Sequence, residues 1–158
     1  MDEPNIKWYE DEDLAIFFNT MPFVAMRYIT PTMTFSEKKA IKKLPFINKR
    51  ELKVTIFDHN KEEIYKFTIP KGYCYDGASI PRAFHRVIGA NTDNSFLIPA
   101  LIHDVLCENH EYINNDKSLS TNVFNALLKA GDVNPVKRFF MKNSVGLFQT
   151  VVCKWGKD

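Results

Sequence analysis

The chain has 158 residues, 45% of them hydrophobic, with 13 Phe, 6 Tyr and 2 Trp, a composition that fills one core and excludes a disordered chain. Lys plus Arg is 21 and Asp plus Glu is 19, so no overall charge drives it toward nucleic acid or an acidic membrane, although a local basic face remains open. The opening MDEPNIKWYEDED is too polar for a signal peptide, no apolar run reaches the length of a membrane span, and three scattered cysteines (Cys74, Cys107, Cys153) give neither a disulfide framework nor zinc spacing, which together lead us to expect a cytoplasmic, reducing setting.

Residues 1–20 read as a charged opening, a candidate arm, carrying one apolar patch, LAIFF, at 14–18. Residues 22–29, PFVAMRYI, read as a strand, and 31–35, PTMTF, as turn and edge material. The basic run SEKKAIKKL at 36–44 reads first as a solvated surface. The strongest β pattern follows. ELKVTIFD (51–58) alternates Leu52, Val54 and Ile56 with Lys53, Thr55 and Phe57, and after the polar connector HNKE comes EIYKFTI (63–69). Two such runs around a short Asp/Asn turn predict a hairpin, closed by Pro70-Lys71-Gly72.

Beyond residue 80 the pattern turns helical. Ser79 and Pro81 open a short helix over 80–88 that stops at Gly89. A second helix covers 96–108, with Pro99 in its first turn. KSLSTNVFNALLKAG (117–131) is amphipathic, with Val123, Phe124, Leu127 and Leu128 inward, and a last helix runs over 134–152 from Pro135. Strands first and helices second predict an α+β fold: an antiparallel hairpin and small sheet, with a helical C-terminal half packed on it. The organisation expected is one domain over 1–158, with a β-rich part at 21–72 and the Asp-Gly turn and helices at 73–152.

The residues that carry chemistry are polar groups in costly places. Wound as a helix, 96–108 is apolar on nearly every face, so it carries His103 and Asp104 toward the interior. An unpaired buried polar group costs about 1–3 kcal/mol and an unpaired charge more, so both residues need partners. His103, Cys107 and His110 lie near one stripe of that helix and would make a partial transition-metal set. Asp76-Gly77 is a turn signal, and one reading of it is backbone geometry alone, since Gly allows positive φ and Asp bonds neighbouring amides. That turn also feeds the helix at 80–88, where Ser79, Arg82, His85 and Arg86 surround an N-terminus suited to an anion. Arg82 has a second reading, as the partner of Asp76 or Asp104.

These blocks, IPKGYCYDGASIPR at 69–82, ALIHDVLC at 100–107 and TNVFNALLKAG at 121–131, resemble a family of uncharacterised phage and prophage proteins with the signature IPxGFxTDxASxPR, AxxHDxLY and ADxxFxxAL…G. The resemblance covers roughly residues 51–150. It implies a viral or prophage origin and a compact α+β fold, and assigns no activity. The His-Asp helix is also similar in pattern to calcium-dependent phospholipases, where the His is a general base, the adjacent Asp binds calcium, and a Tyr and a second Asp orient the His. Here Cys107 stands where the Tyr would be, Thr121 falls at the second Asp, and Tyr75 replaces the Thr before Asp76; Asp116 is a nearby substitute.

Two functions follow as expectations. The first is a non-catalytic phage structural or accessory protein, virion-associated in one version, in which Asp76, His103, Asp104 and Arg82 form a buried cluster. It needs no cofactor, its partners are other phage or host proteins, and residues 39–50 and the C-terminal KWGKD are its contact surfaces. The alternative is a small hydrolase of lipid or another envelope ester or phosphate, with His103 as base, Asp104 and Asp76 holding calcium or orienting the His, and Ser79, Arg82 and His85 holding an anion. Nucleic-acid binding through 36–50 lacks a recognisable motif.

Overall fold

The structure, a computed structural model, describes residues 5–76 and 94–132 together with positions 135 and 138. The helix expected over 80–88 lies outside the described residues, as does that over 134–152 but for those two positions. The described elements run β1 (Ile6–Glu10), β2 (Ala15–Phe18), β3 (Val24–Met26), α1 (Phe35–Lys43), β4 (Phe46–Asn48), β5 (Leu52–Phe57), β6 (Glu63–Ile69), β7 (Cys74–Tyr75), α2 (Asn94–Glu108), a 3-10 turn (His110–Ile113) and α3 (Lys117–Ala130).

Alternation decides the central strands. In β5, Leu52, Val54 and Ile56 are fully buried while the residues between them are half-exposed, because successive side chains of a strand leave opposite faces. β5 pairs antiparallel with β6 from Leu52↔Ile69 to Phe57↔Glu63. Asp58 closes the hairpin by accepting the amides of Asn60 at 2.9 Å and Glu62 at 3.1 Å.

The opening segment supplies the other half of this sheet, whose order is β1-β2-β5-β6. The LAIFF patch becomes β2 with Ile16 and Phe18 fully buried, so residues 6–18 lie on the sheet and do not form a separate arm. Asp11 shapes the turn between β1 and β2, accepting from the amides of Asp13 at 2.7 Å and Leu14 at 3.0 Å and from the Tyr9 hydroxyl at 2.6 Å.

A second sheet, in the order β3-β4-β7, is built of strands too short to show a period. The strand expected over 22–29 contracts to the three residues of β3. The basic run beyond it is a helix. Thr34 accepts the Glu37 amide at 3.1 Å while the Glu37 carboxylate accepts the Thr34 amide at 3.2 Å, a reciprocal cap that satisfies two N-terminal donors. Lys42 and Lys43 complete α1 at the end where cations are favoured.

α2 buries Leu97, Ala100, Leu101, Ile102, Val105 and Leu106, as a helix apolar all round must. It starts at Asn94, two residues earlier than expected, so Pro99 stands in the second turn, where proline cannot donate the regular helical bond. α3 packs beside it and reaches β1, while the 3-10 turn reaches β6. Val123, Phe124, Leu127 and Leu128 all face inward. The fold is therefore α+β, antiparallel sheets followed by packed helices, and its core lies between them. No helix among the described residues is long and apolar enough to cross a membrane.

Candidate functional site

Asp76 reaches α2 through a short chain of anchors. Asn48, fully buried at the end of β4, donates its side-chain amide to the Pro70 carbonyl at 3.1 Å. Its backbone carbonyl accepts the Gly72 amide at 2.8 Å and its amide donates to the Tyr73 carbonyl at 2.8 Å. Gly72 takes φ +94, a conformation that side chains rarely adopt. This clamp aims β7 along α2. The Tyr73 hydroxyl donates to Glu108 at 2.7 Å near one end of the helix, and the buried Tyr75 hydroxyl donates to the Leu97 carbonyl at 3.1 Å near the other. The Tyr75 ring also packs on Phe46, with centroids 5.8 Å apart.

Asp76, next in the chain, lines a recess of about 110 Å³ with Leu44, Tyr75, Asp104, Cys107 and Glu108. Three carboxylates thus converge on one small hollow beside two phenols. Burial, then the hydrogen bond and charge of Glu108, with Asp104 and Asp76 adding to them, hold the Tyr73 phenol far above its ordinary range. Burial and the Asp104 charge do the same to Tyr75. Both phenols stay protonated and act as donors. Among the described residues no group of three or more His, Cys, Asp or Glu is placed to hold a metal ion.

His103 stands apart from this recess. Its side chain is completely buried, whereas that of Asp104 is 13% exposed, because neighbouring helix positions point about 100° apart. The imidazole faces the core and packs on the Phe124 ring, with centroids 5.3 Å apart. Burial lowers its pKa from 6.5 to about 4. At neutral pH it therefore carries no charge, and its 4.0 Å approach to the Asp104 carboxylate is too long for a hydrogen bond. Asp76 and α2 do meet, but they meet through carboxylates and tyrosines, with the imidazole packed on Phe124.

The remaining expectations separate in the same way. Cys74 is free and Cys107 is disulfide-bonded, a bridge that the cysteine spacing did not announce. The His103, Cys107 and His110 stripe then supplies no thiolate, and His110, in the 3-10 turn, bonds through Nδ1 to the Asn115 side chain. Asp116 is the N-cap of α3, accepting the Leu119 amide at 2.9 Å, and the Thr121 hydroxyl donates to the Lys117 carbonyl at 3.2 Å. Both are thus engaged within α3. Ser79, Arg82 and His85 lie outside the described residues. A larger polar cleft of about 560 Å³, lined by Asp11, Asp13, Asn122, Asn125 and Lys129 among others, contains none of the residues singled out from the sequence.

Sequence reasoning missed Tyr73, Glu108 and Asn48. For Tyr73 a signal existed: in GYCYD, two tyrosines at i and i+2 share one face of a strand. Glu108 and Asn48 carry no such mark.

A family model described as "Protein of unknown function (DUF1353)" matches residues 52–145. A stretch of 43 residues is 42% identical to the "Uncharacterized protein y4jT" of Sinorhizobium fredii (strain NBRC 101917 / NGR234), and it spans 27% of this chain and 13% of that protein's length. No solved structure matches.

Proposed function

We propose that this chain, which belongs to the DUF1353 family of proteins of unknown function, is a non-catalytic accessory module in which His103 is a core residue and not a general base. The observation that carries this reading is the sealing of His103. A general base must come within hydrogen-bond reach of the proton it removes, directly or through one water, and this imidazole has no exposed side-chain surface. Nor is it among the described residues that line the recess shared by Asp76 and Asp104.

The recess itself supports a structural task. Tyr73 and Tyr75 tie β7 to the two ends of α2, so Asp76, next in the chain, is held beside the helix by donors that remain protonated. A phage or prophage setting rests on the resemblance that IPKGYCYDGASIPR and ALIHDVLC carry to phage and prophage proteins.

The test measures ester hydrolysis, with and without calcium, for wild type and His103→Ala, alongside thermal unfolding of both. The reading predicts no activity in either protein and a clear drop in the melting temperature of the variant. Calcium-dependent hydrolysis by the wild type, lost in His103→Ala at an unchanged melting temperature, would overturn it.

A further inference from the structure

The charge of this chain is segregated, and so is its exposed apolar surface. Residues 21–50 contain Arg27, Arg50 and five lysines against a single acid, Glu37, a net charge of +6, which leaves −4 on the rest of a chain whose total is +2. The same stretch holds six of the eight large apolar side chains exposed among the described residues: Met21, Phe23, Met26, Tyr28, Ile29 and Phe35. Tyr28 is 85% exposed and Phe35 82%.

The two features share a surface on α1. Residues three, four and seven apart lie on one helical face, which sets Lys38, Lys39 and Lys42 around Phe35. Ile41, the residue of α1 that is buried, lies about 120° around the helix from Phe35. The stretch before α1 is tied back to its C-terminal end, since the Arg27 guanidinium donates to the Leu44 carbonyl at 3.0 Å and its amide to the Pro45 carbonyl at 2.7 Å. Arg50 sits 5.8 Å from the centre of the Phe23 ring. None of the six apolar residues lines any of the cavities of about 560, 170 and 110 Å³. They protrude.

From this charge complementarity we infer that the face formed by residues 21–43 docks on an anionic lipid bilayer, with Tyr28, Ile29 and Phe35 entering the interface and the α1 lysines meeting the headgroups. Protruding aromatic and aliphatic side chains gain little in water and much at the headgroup boundary, and lysines around them add attraction to anionic lipid. The near-neutral total charge does not oppose this, because a bilayer reads the charge within about 10 Å of its surface at ordinary ionic strength. The inference goes beyond the reading of His103, and hydrolysis dependent on His103 would leave it standing.

The test is co-sedimentation of the full chain with vesicles of phosphatidylcholine alone and of phosphatidylcholine mixed with phosphatidylglycerol. Binding is expected to the mixed vesicles, weakened by added salt. It should fall by about tenfold or more in the triple variant K38E, K39E, K42E, and fall also in Tyr28→Ser with Phe35→Ser, with the circular dichroism of each variant unchanged because every altered side chain is outside the core. Phe35→Trp should shift its emission to the blue on the mixed vesicles and not on the neutral ones. Equal binding to both vesicles, or none to either, would overturn the inference. So would self-association abolished by the Tyr28 and Phe35 substitutions without vesicle binding, which assigns the face to a second copy. Binding to single-stranded RNA that survives Phe35→Ser, with no binding to vesicles, would assign the lysines to nucleic acid and equally overturn it.

Discussion

Removing one oxygen, in Tyr75→Phe, tests how β7 is held to α2. The residue is 1% exposed, and its hydroxyl donates to the Leu97 carbonyl at 3.1 Å. That carbonyl lies in a helix, where regular geometry gives it a second donor four residues on, so the substitution does not strand a buried acceptor. The loss is then the net worth of one buried hydrogen bond, about 1 kcal/mol, or about 2–4 °C in melting temperature for a chain of this size. Tyr75→Ala removes in addition the ring that packs on Phe46 at 5.8 Å, and a buried aromatic truncated to Ala costs about 3–5 kcal/mol. Urea unfolding followed by circular dichroism measures both. A Phe variant with the wild-type midpoint, or an Ala variant no worse than the Phe variant, would refute the account of Tyr75 as ring plus tether.

Other expectations follow from neighbouring groups. Asn48→Asp should destabilise by at least about 3 kcal/mol, more than Asn48→Ala, because it replaces the donor to Pro70 in a fully buried residue with an anion that has no donor of its own to give; urea midpoints check the order. Stability should also depend on pH through His103, whose pKa falls from 6.5 to about 4 on burial. The unfolded chain takes up this proton first, so the contribution is complete above about pH 6.5 and declines by on the order of 3 kcal/mol as pH falls toward 4. In His103→Phe that part of the slope should vanish, and an unchanged slope would show that the imidazole is not desolvated in the folded state.

Much of the frame was legible because it rests on long periodic patterns. The hairpin of β5 and β6 follows from strict alternation around Asp58, and the inward set of α3 from helical spacing. The second sheet was not legible, because three-residue and two-residue strands have no period to read and are held by partners distant in sequence, as β4 is by β7. α1 hid behind its charge: it buries Ile41, so no apolar stripe announces it, although Thr34 and Glu37 spell a capping box. At the site, the burial of His103 was readable from the apolar helix around it. What could not be read was that Asp104, one residue on, turns out of the core to join Asp76 and Glu108, since a pair of adjacent letters does not say which of them faces the core.

Nuclear magnetic resonance titration of the His103 ring tests the central claim most directly. A core imidazole at this position stays neutral down through pH 5, with a midpoint near 4, and keeps its ring protons shielded from solvent. A midpoint at or above the ordinary value of 6.5, with ready solvent access, would contradict it and return His103 to the list of groups able to do chemistry.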